Sequence, residues 1–179
     1  MLGIGAKFPD FNVTATVGND IAHAFSNITE KSYPGKWLIV FFWPKDFTFV
    51  CPTEIVGFSD LYEQFAERNA QVLGASTDSE FVHLAWRQHN NHLCNLPFPM
   101  LADVKRDLST ALGIIDATAG VAQRAAYIVD PEGIIRFVMV TDLNVGRNPK
   151  EVLRVLDALQ SGELCPSSWE KGQKTLKVG

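Results

Sequence analysis

The run GKWLIVFFWP, residues 35–44, is the feature that most constrains the fold of this chain. Its centre is apolar and rich in aromatic and β-branched residues, and Gly35 and Pro44 bound it. A short apolar run of this kind is typical of a strand that is covered on both faces. It is far shorter than the ~20 residues that span a bilayer. We therefore expect a buried strand here.

A helix and a second strand follow this run. Between Thr53 and Arg68, apolar residues recur every three or four positions, which predicts a helix with one buried stripe. The segment AQVLGAST predicts a second strand, and EFVHLAWRQH predicts a helix that Asp78 or Ser79 can cap. A chain in which strands alternate with helices folds into an α/β layer structure.

The second half of the chain adds antiparallel strands. RDLSTALGI predicts a short helix, and a turn at residues 130–133 joins RAAYIVD to IIRFVMVT in a hairpin. Asn148 and Pro149 open a last helix, which Gly162 ends. This order matches the thioredoxin fold, preceded by a β-hairpin in about the first fifteen residues. We expect one domain over residues 1–162 and an aperiodic tail over residues 163–179.

Charge and cysteine content exclude several classes of protein. The chain has 179 residues and a net charge of −4, without the clustered Lys and Arg of a nucleic-acid-binding surface. The first residues carry no basic and apolar leader, so we expect a cytoplasmic protein with no membrane partner. Cys51, Cys94 and Cys165 are too few and too scattered for a disulfide framework. In a reducing compartment such thiols are catalytic, metal-binding or merely buried.

Cys51 lies where a thiol becomes reactive, in the first turn of the helix that follows the buried strand. Unpaired N–H groups and the helix dipole favour the thiolate there, which is the nucleophilic form. The dipole supplies only ~0.3–2 kcal/mol, so we expect a nearby cation as well. The position alone leaves open that Cys51 is a small buried hydrophobe. Glu54 stands where a redox dithiol motif has its second cysteine, which excludes an ordinary intrahelical disulfide.

Several motifs carry a family resemblance. PKDFTFVCP resembles the active-site motif Pro-x-x-x-Thr-x-x-Cys of the peroxiredoxins, and VCPTE and LCPSSW resemble the two cysteine signatures of their typical two-cysteine class. SEFVHLAWRQ, LPFPMLAD, RAAYIVDPEGIIRF and VGRNPKEVLRVLDALQ follow in the family's order, so the resemblance covers nearly the whole chain. It is greatest to the alkyl hydroperoxide reductase C subgroup.

The resemblance implies a role for each matching residue. Cys51 corresponds to the peroxidatic cysteine, which a peroxide oxidises to a sulfenic acid. Cys165 corresponds to the resolving cysteine, which attacks that sulfenic acid on a partner subunit. Thr48 corresponds to the hydroxyl that binds peroxide and thiolate, Pro44 to the residue that shields the sulfur, and Arg124 to the cation beside it.

Glu54 and Arg147 resemble the pair that buttresses this cluster, and we expect Trp86 to pack behind it without a chemical role. The residues by themselves also allow structural roles. Arg124 could be an exposed arginine at a strand end, and Glu54 and Arg147 could form a surface ion pair. Thr48 could be only a loop residue, and Pro44 could be only a strand terminator. Cys165 could be an unreactive thiol in the tail.

Cys94 and the four histidines match no motif. We expect Cys94 to be a bystander in a loop. The histidines, which are His23, His83, His89 and His92, form no ligand pattern with the cysteines. We therefore expect neither a metal nor another cofactor.

The resemblance implies a thiol-dependent peroxidase that reduces hydrogen peroxide and alkyl hydroperoxides through an intersubunit disulfide, in antioxidant defence and redox homeostasis. It implies an external thiol reductant, which could be thioredoxin-like, a flavoprotein disulfide reductase or a small dithiol protein. It also implies a homodimer that assembles into a ring of ten or twelve subunits. Two alternatives stay open, namely a one-cysteine peroxidase with Cys165 idle and a ring-shaped chaperone that holds unfolded proteins.

Overall fold

The computed structural model describes residues 1–177. Its strands are β1 (Asn12–Thr16), β2 (Phe25–Thr29), β3 (Trp37–Phe42), β4 (Ala70–Ser76), β5 (Met100–Ala102), β6 (Arg124–Val129) and β7 (Ile135–Thr141). Its helices are α1 (Cys51–Asp60), α2 (Tyr62–Glu67), α3 (Glu80–His89), α4 (Asp107–Leu112) and α5 (Pro149–Ser161). The strands form one mixed sheet in the order β2-β1-β5-β4-β3-β6-β7.

The strand β3 is covered on both faces, as its apolar sequence predicts. Successive side chains of a strand point to opposite faces of the sheet. Ile39 and Phe41 join a core with α1 and α5, whereas Val40 and Phe42 join a second core on the other face. The strand pairs in parallel with β4 and antiparallel with β6. The predicted α/β architecture with a thioredoxin fold is confirmed.

The amino-terminal hairpin lies later in the chain than predicted. β1 and β2 pair antiparallel between residues 12 and 29, instead of within about the first fifteen residues. The sequence of β2, FSNIT, is too polar to predict a strand, and its pairing with β1 decides its conformation. The sequence also does not predict β5, whose three residues pair with β1 and β4.

The helix predicted from Thr53 to Arg68 begins earlier, at Cys51, and is divided into α1 and α2. The break is at Leu61, whose backbone angles (φ −100°, ψ 3°) are not those of an α-helix. The apolar stripe continues through both helices, because Ile55, Phe58 and Phe65 are all buried in the same core. Periodicity therefore predicts the buried face correctly but does not reveal the break.

The caps of the later helices agree with the sequence patterns. At α3 the cap is Ser79 and not Asp78, since the Ser79 hydroxyl accepts a hydrogen bond from the Val82 N–H at 3.3 Å. At α5 the Asn148 side chain accepts one from the Lys150 N–H at 3.1 Å. Gly162 then ends α5 at φ +65°, a conformation that glycine adopts without a steric penalty.

The tail that follows α5 folds back onto that helix. Trp169 is buried, and its carbonyl oxygen accepts a hydrogen bond from Arg154 of α5 at 2.9 Å. Leu164 and Leu176 form an isolated bridge that closes the tail on itself. Residues 178 and 179, at the end of the predicted tail, lie outside the described residues. Within residues 1–177, no helix has both the length and the apolar character needed to cross a membrane.

Candidate active site

Cys51 is the first residue of α1 and is 1% exposed. No side chain caps this helix, and the Thr53 N–H donates to the Val50 carbonyl at 3.1 Å, so within residues 1–177 the Cys51 N–H is the donor of this turn that remains available to a substrate. Pro52 is compatible with this turn, because proline lacks an N–H that would need a partner. Cys51 therefore lies at the start of the helix that follows β3, as the local sequence predicts.

Arg124 begins β6, beside β3, and it brings a positive charge to the thiol. Its Nη1 lies 3.4 Å from the Cys51 Sγ and 2.5 Å from Glu54 Oε2, and its Nε donates to the Leu143 carbonyl at 2.6 Å. The side chain is buried, with the residue only 4% exposed. The alternative of an exposed strand-end arginine is wrong. A cation at this distance favours the thiolate form of a cysteine.

Glu54 and Arg147 form a buried pair next to Arg124. Glu54 Oε1 accepts hydrogen bonds from both the main-chain N–H and the Nε of Arg147, at 2.8 and 2.7 Å. Both residues are less than 10% exposed, so the alternative of a surface ion pair is wrong. Burial lowers the pKa of Arg147 from its ordinary value, and the hydrogen bond that Arg147 donates to Glu54 opposes that change.

The charges of this cluster are unequal when Cys51 is a neutral thiol. Arg124 and Arg147 contribute two guanidinium charges, whereas Glu54 contributes one carboxylate. One positive charge is then left in excess at a buried site, where unpaired charge is costly. A negative charge at the Cys51 sulfur, which lies 3.4 Å from Arg124 Nη1, would balance this excess.

Pro44 and Thr48 lie in the loop that precedes α1 and line the same cavity as Cys51, which measures about 280 Å³. Pro44 is buried, in agreement with a shielding position. The Thr48 hydroxyl donates to the Lys45 carbonyl at 3.0 Å. This differs from the predicted bond to the thiolate. The oxygen of this hydroxyl can still accept a hydrogen bond from a peroxide, since a hydroxyl carries two lone pairs.

Sequence reasoning missed a buried network behind this loop. Asp46 accepts hydrogen bonds from the Trp43 indole N–H at 2.7 Å and pairs with His83 Nδ1 at 2.7 Å. The other ring nitrogen of His83 lies 3.2 Å from the Leu101 carbonyl. The loop is thereby fastened to α3 and β5. Trp86 packs nearby against Trp43, as predicted.

The network accounts for His83, which the sequence left as one of four unassigned histidines. The only local sign was an aspartate in the proline-bounded loop, and its partner lies 37 residues away. Within residues 1–177 no group of three or more potential ligands could hold a metal ion.

The other two cysteines lie apart from this cluster, and all three are free thiols. Cys165 is half-buried in the tail, where its Sγ lies 3.3 Å from the Ser161 hydroxyl of α5. Cys94 lies in the loop after α3, and its thiol donates to the Asn91 carbonyl at 3.2 Å. The predicted loop position of Cys94 is therefore observed.

In this chain a thioredoxin fold holds an isolated cysteine at the start of α1, beside a buried arginine. These features define the class of cysteine-based oxidoreductases that have no second thiol in that helix. Comparison with known proteins shows which family within this class the chain resembles. Residues 4–138 match the model of the AhpC/TSA family. The alkyl hydroperoxide reductase C of Mycobacterium tuberculosis is 54% identical over 187 aligned positions, which cover all of this chain and 95% of that protein. Mouse peroxiredoxin-2 is 44% identical and covers 97% of the chain.

Solved structures agree with these relatives. The structure of Mycobacterium tuberculosis AhpC superposes with a TM-score of 0.87 at 54% identity, over 95% of this chain and 99% of that one. The reduced 2-Cys peroxiredoxin of Plasmodium vivax superposes with a TM-score of 0.90 at 32% identity, over 97% and 92% of the two chains. The chain belongs to the AhpC/TSA family. It is a peroxiredoxin, that is, a thiol-dependent peroxidase, similar to alkyl hydroperoxide reductase C.

Proposed function

We propose that this peroxidase reduces hydrogen peroxide and alkyl hydroperoxides by direct attack of the Cys51 thiolate. The observation that carries the proposal is the 3.4 Å contact between Arg124 Nη1 and the Cys51 Sγ, in a cluster that is charge-balanced only with a thiolate. The sulfur attacks the terminal oxygen of the peroxide and the O–O bond breaks. Cys51 becomes a sulfenic acid, and the leaving oxygen departs as an alcohol or water after it takes up a proton.

The same donors suit the charge that develops in this step. Negative charge grows on the leaving oxygen as the O–O bond breaks, and preorganised donors stabilise such charge. The Arg124 guanidinium and the Cys51 N–H at the start of α1 can donate, while Pro44 limits the access of water. The cavity wall also includes the apolar residues Phe49, Val121 and Leu143, which suit the alkyl group of an organic hydroperoxide.

The cycle is completed by Cys165. Its thiol attacks the sulfenic sulfur, a disulfide forms and water leaves. We place this step between two subunits, because in its own chain Cys165 is held on α5, with polar contacts at Ser161 and Ala158. An external thiol reductant then reduces the disulfide. The domain division follows from this scheme, with the peroxidase domain over residues 1–162 and the resolving tail over residues 163–179.

Two surfaces support assembly into dimers and larger rings. β7 is an edge strand of the sheet, and residues Phe137 to Val140 are apolar and only half-buried. An exposed edge of this kind is a template for pairing with another chain, so we propose a dimer through β7. The second feature is a set of exposed phenylalanines, Phe47, Phe49 and Phe81, which are 57%, 94% and 60% exposed. We propose that contacts through these side chains join dimers into a ring of ten or twelve subunits.

The cytoplasm is the location that suits this cycle. All three cysteines are free, and turnover requires a partner that returns the disulfide to thiols. A reducing compartment supplies such partners and keeps structural disulfides rare.

One experiment tests the proposed cycle. The enzyme is assayed for peroxide reduction with candidate reductants supplied one at a time, and samples treated with peroxide are run on non-reducing gels. We expect a covalent dimer that is lost in Cys51→Ser and in Cys165→Ser but persists in Cys94→Ser. A dimer that depends on Cys94 would overturn the assignment of Cys165. Peroxidase activity without any dimer would indicate the one-cysteine mechanism instead.

A further inference from the structure

We propose that Thr141 is a positioning residue for Arg124, and through it for the thiolate of Cys51. Thr141 is the last residue of β7 and lies directly opposite Arg124 in the register of the β6–β7 pair. Its hydroxyl donates a hydrogen bond to the Val145 carbonyl at 2.6 Å and not to Arg124. The inference rests on the proposed function of Arg124 as the cation that activates Cys51.

The hydrogen bond of Thr141 closes a turn at the end of β7. Within this turn the Val145 N–H also donates to the Asp142 carbonyl at 2.9 Å. The turn is on the surface, where Val145 is 53% exposed, so water can replace these bonds if the turn opens. A threonine side chain that bonds a nearby main-chain group holds such a turn in one conformation.

The closed turn presents the carbonyl that orients Arg124. That carbonyl belongs to Leu143, between the two residues that close the turn, and it accepts the Arg124 Nε hydrogen bond at 2.6 Å. An arginine side chain has several rotatable bonds, so contacts at both ends of the guanidinium are needed to fix its plane. Leu143 holds the Nε end, while Cys51 and Glu54 contact Nη1.

The same loop also controls the other end of the guanidinium. Arg147 follows the turn directly, and its main-chain N–H and Nε hold Glu54 Oε1, which sets where Glu54 Oε2 meets Arg124. At Gly146, an added Cβ would lie 3.5 Å from Val50 and 3.7 Å from Glu54, so the loop packs closely on the start of α1. A change in the turn therefore reaches Arg124 from both sides.

Three variants of the enzyme test this inference. Thr141→Val keeps the β-branched shape but removes the hydroxyl, Thr141→Ser keeps the hydroxyl, and Thr14→Val is the matched control. Thr14 is a half-buried strand residue whose hydroxyl makes no hydrogen bond within residues 1–177. Each protein is measured for kcat/KM with hydrogen peroxide across pH.

We expect Thr141→Val to lower kcat/KM about three- to tenfold near pH 7, the size of one lost hydrogen bond. We also expect the loss in kcat/KM to be smaller at higher pH, because the positioned charge of Arg124 then contributes less to forming the nucleophile. Thr141→Ser and Thr14→Val should match the wild type. A role in folding alone would instead reduce activity by the same factor at every pH.

Arg124→Ala separates a failure of this inference from a failure of the proposed function. If Arg124→Ala is slow but Thr141→Val matches the wild type, or loses the same factor at all pH values, Thr141 has no positioning role. If Arg124→Ala itself reacts like the wild type at every pH, Arg124 does not activate Cys51 and both proposals are overturned.

Discussion

The Glu54 carboxylate holds Arg147 by two hydrogen bonds, from the main-chain N–H and from the side-chain Nε, at 2.8 and 2.7 Å. The main-chain bond joins the first turn of α1 to the loop that leads into α5. Because the other oxygen of Glu54 contacts Arg124, a single carboxylate separates two buried guanidinium groups. Removing that carboxylate therefore affects the stability of the fold as well as the geometry of the site.

Glu54→Gln should destabilise the protein by about 3–5 kcal/mol, since it leaves two buried positive charges without their carboxylate. The free energy of unfolding in urea measures this. Glu151→Gln is the matched control, because Glu151 pairs with Arg154 at the surface, and such pairs contribute ~0–1 kcal/mol. Equal stabilities for the two variants would contradict a buried cluster.

Arg124→Ala should slow peroxide reduction at pH 7 by about 10- to 100-fold, a loss of ~1.4–2.7 kcal/mol of stabilisation. The cause is that Cys51 loses the cation that lies 3.4 Å from its sulfur. Stopped-flow oxidation by hydrogen peroxide measures the rate. Arg136→Ala, which removes a half-exposed arginine from Asp130, should leave this rate unchanged. Slowing of similar size in Arg136→Ala would rule out a specific role for Arg124.

Asp130 should make stability fall in acid. Burial opposes ionisation of this carboxyl, but the N–H of Ile134 and the guanidinium of Arg136 outweigh it and lower the pKa below its ordinary value of 3.8. A carboxyl whose pKa is lowered in the folded state contributes its full stabilisation at pH values above its pKa in the unfolded state. This contribution is lost as the pH falls through its pKa in the folded state. Between pH 5 and pH 2, roughly the window of such a group, Asp130→Asn should show a weaker loss of stability than the wild type.

The measurement for Asp130 is urea unfolding at several pH values, with Asp60→Asn as the control. Asp60 is an exposed carboxyl at the end of α1 that makes no ion pair within residues 1–177, so its removal should change the pH dependence little. Parallel stability curves for Asp130→Asn and the wild type would show that Asp130 does not supply the acid sensitivity.

Phe81→Glu should dissociate the proposed ring into dimers. Phe81 is 60% exposed near the start of α3, and a charge placed in an apolar contact costs more than the contact contributes. Sedimentation velocity measures the assembly, and circular dichroism checks the fold. Glu132→Gln, in the exposed β6–β7 turn, is the control and should keep the wild-type assembly. A Phe81→Glu protein that still forms rings would place the ring contact elsewhere.

The sequence by itself determined the order of most helices and strands and the location of Cys51. Strand β3 is covered on both faces, so its sequence is continuously apolar, and the stripe of α5 keeps helical spacing between a cap and a glycine. These signals are local, because each depends only on neighbours along the chain. Cys51 could be placed for the same reason, since it follows a recognisable strand and opens a recognisable helix.

Where the local sequence signals were weak, the predicted boundaries were wrong or the strand was not predicted at all. The polar strand β2 and the three-residue β5 are strands only because β1 and β4 pair with them. Strand propensity depends strongly on the partner, so a short or polar strand carries little signal of its own. The motif resemblance named Arg124, Glu54 and Arg147, but it did not predict that all three are buried.

Only the tertiary structure decided how these side chains meet. Cys51 and Arg124 are 73 residues apart and are in contact because β6 pairs with β3. Asp46 contacts His83 only because α3 packs beside the loop. The bond from Thr141 to Val145 is local, yet its link to the thiolate passes through Arg124 on the neighbouring strand. Strand register and helix packing arise from the simultaneous burial of many apolar groups, so residues distant in sequence acquire their contacts only in the folded chain.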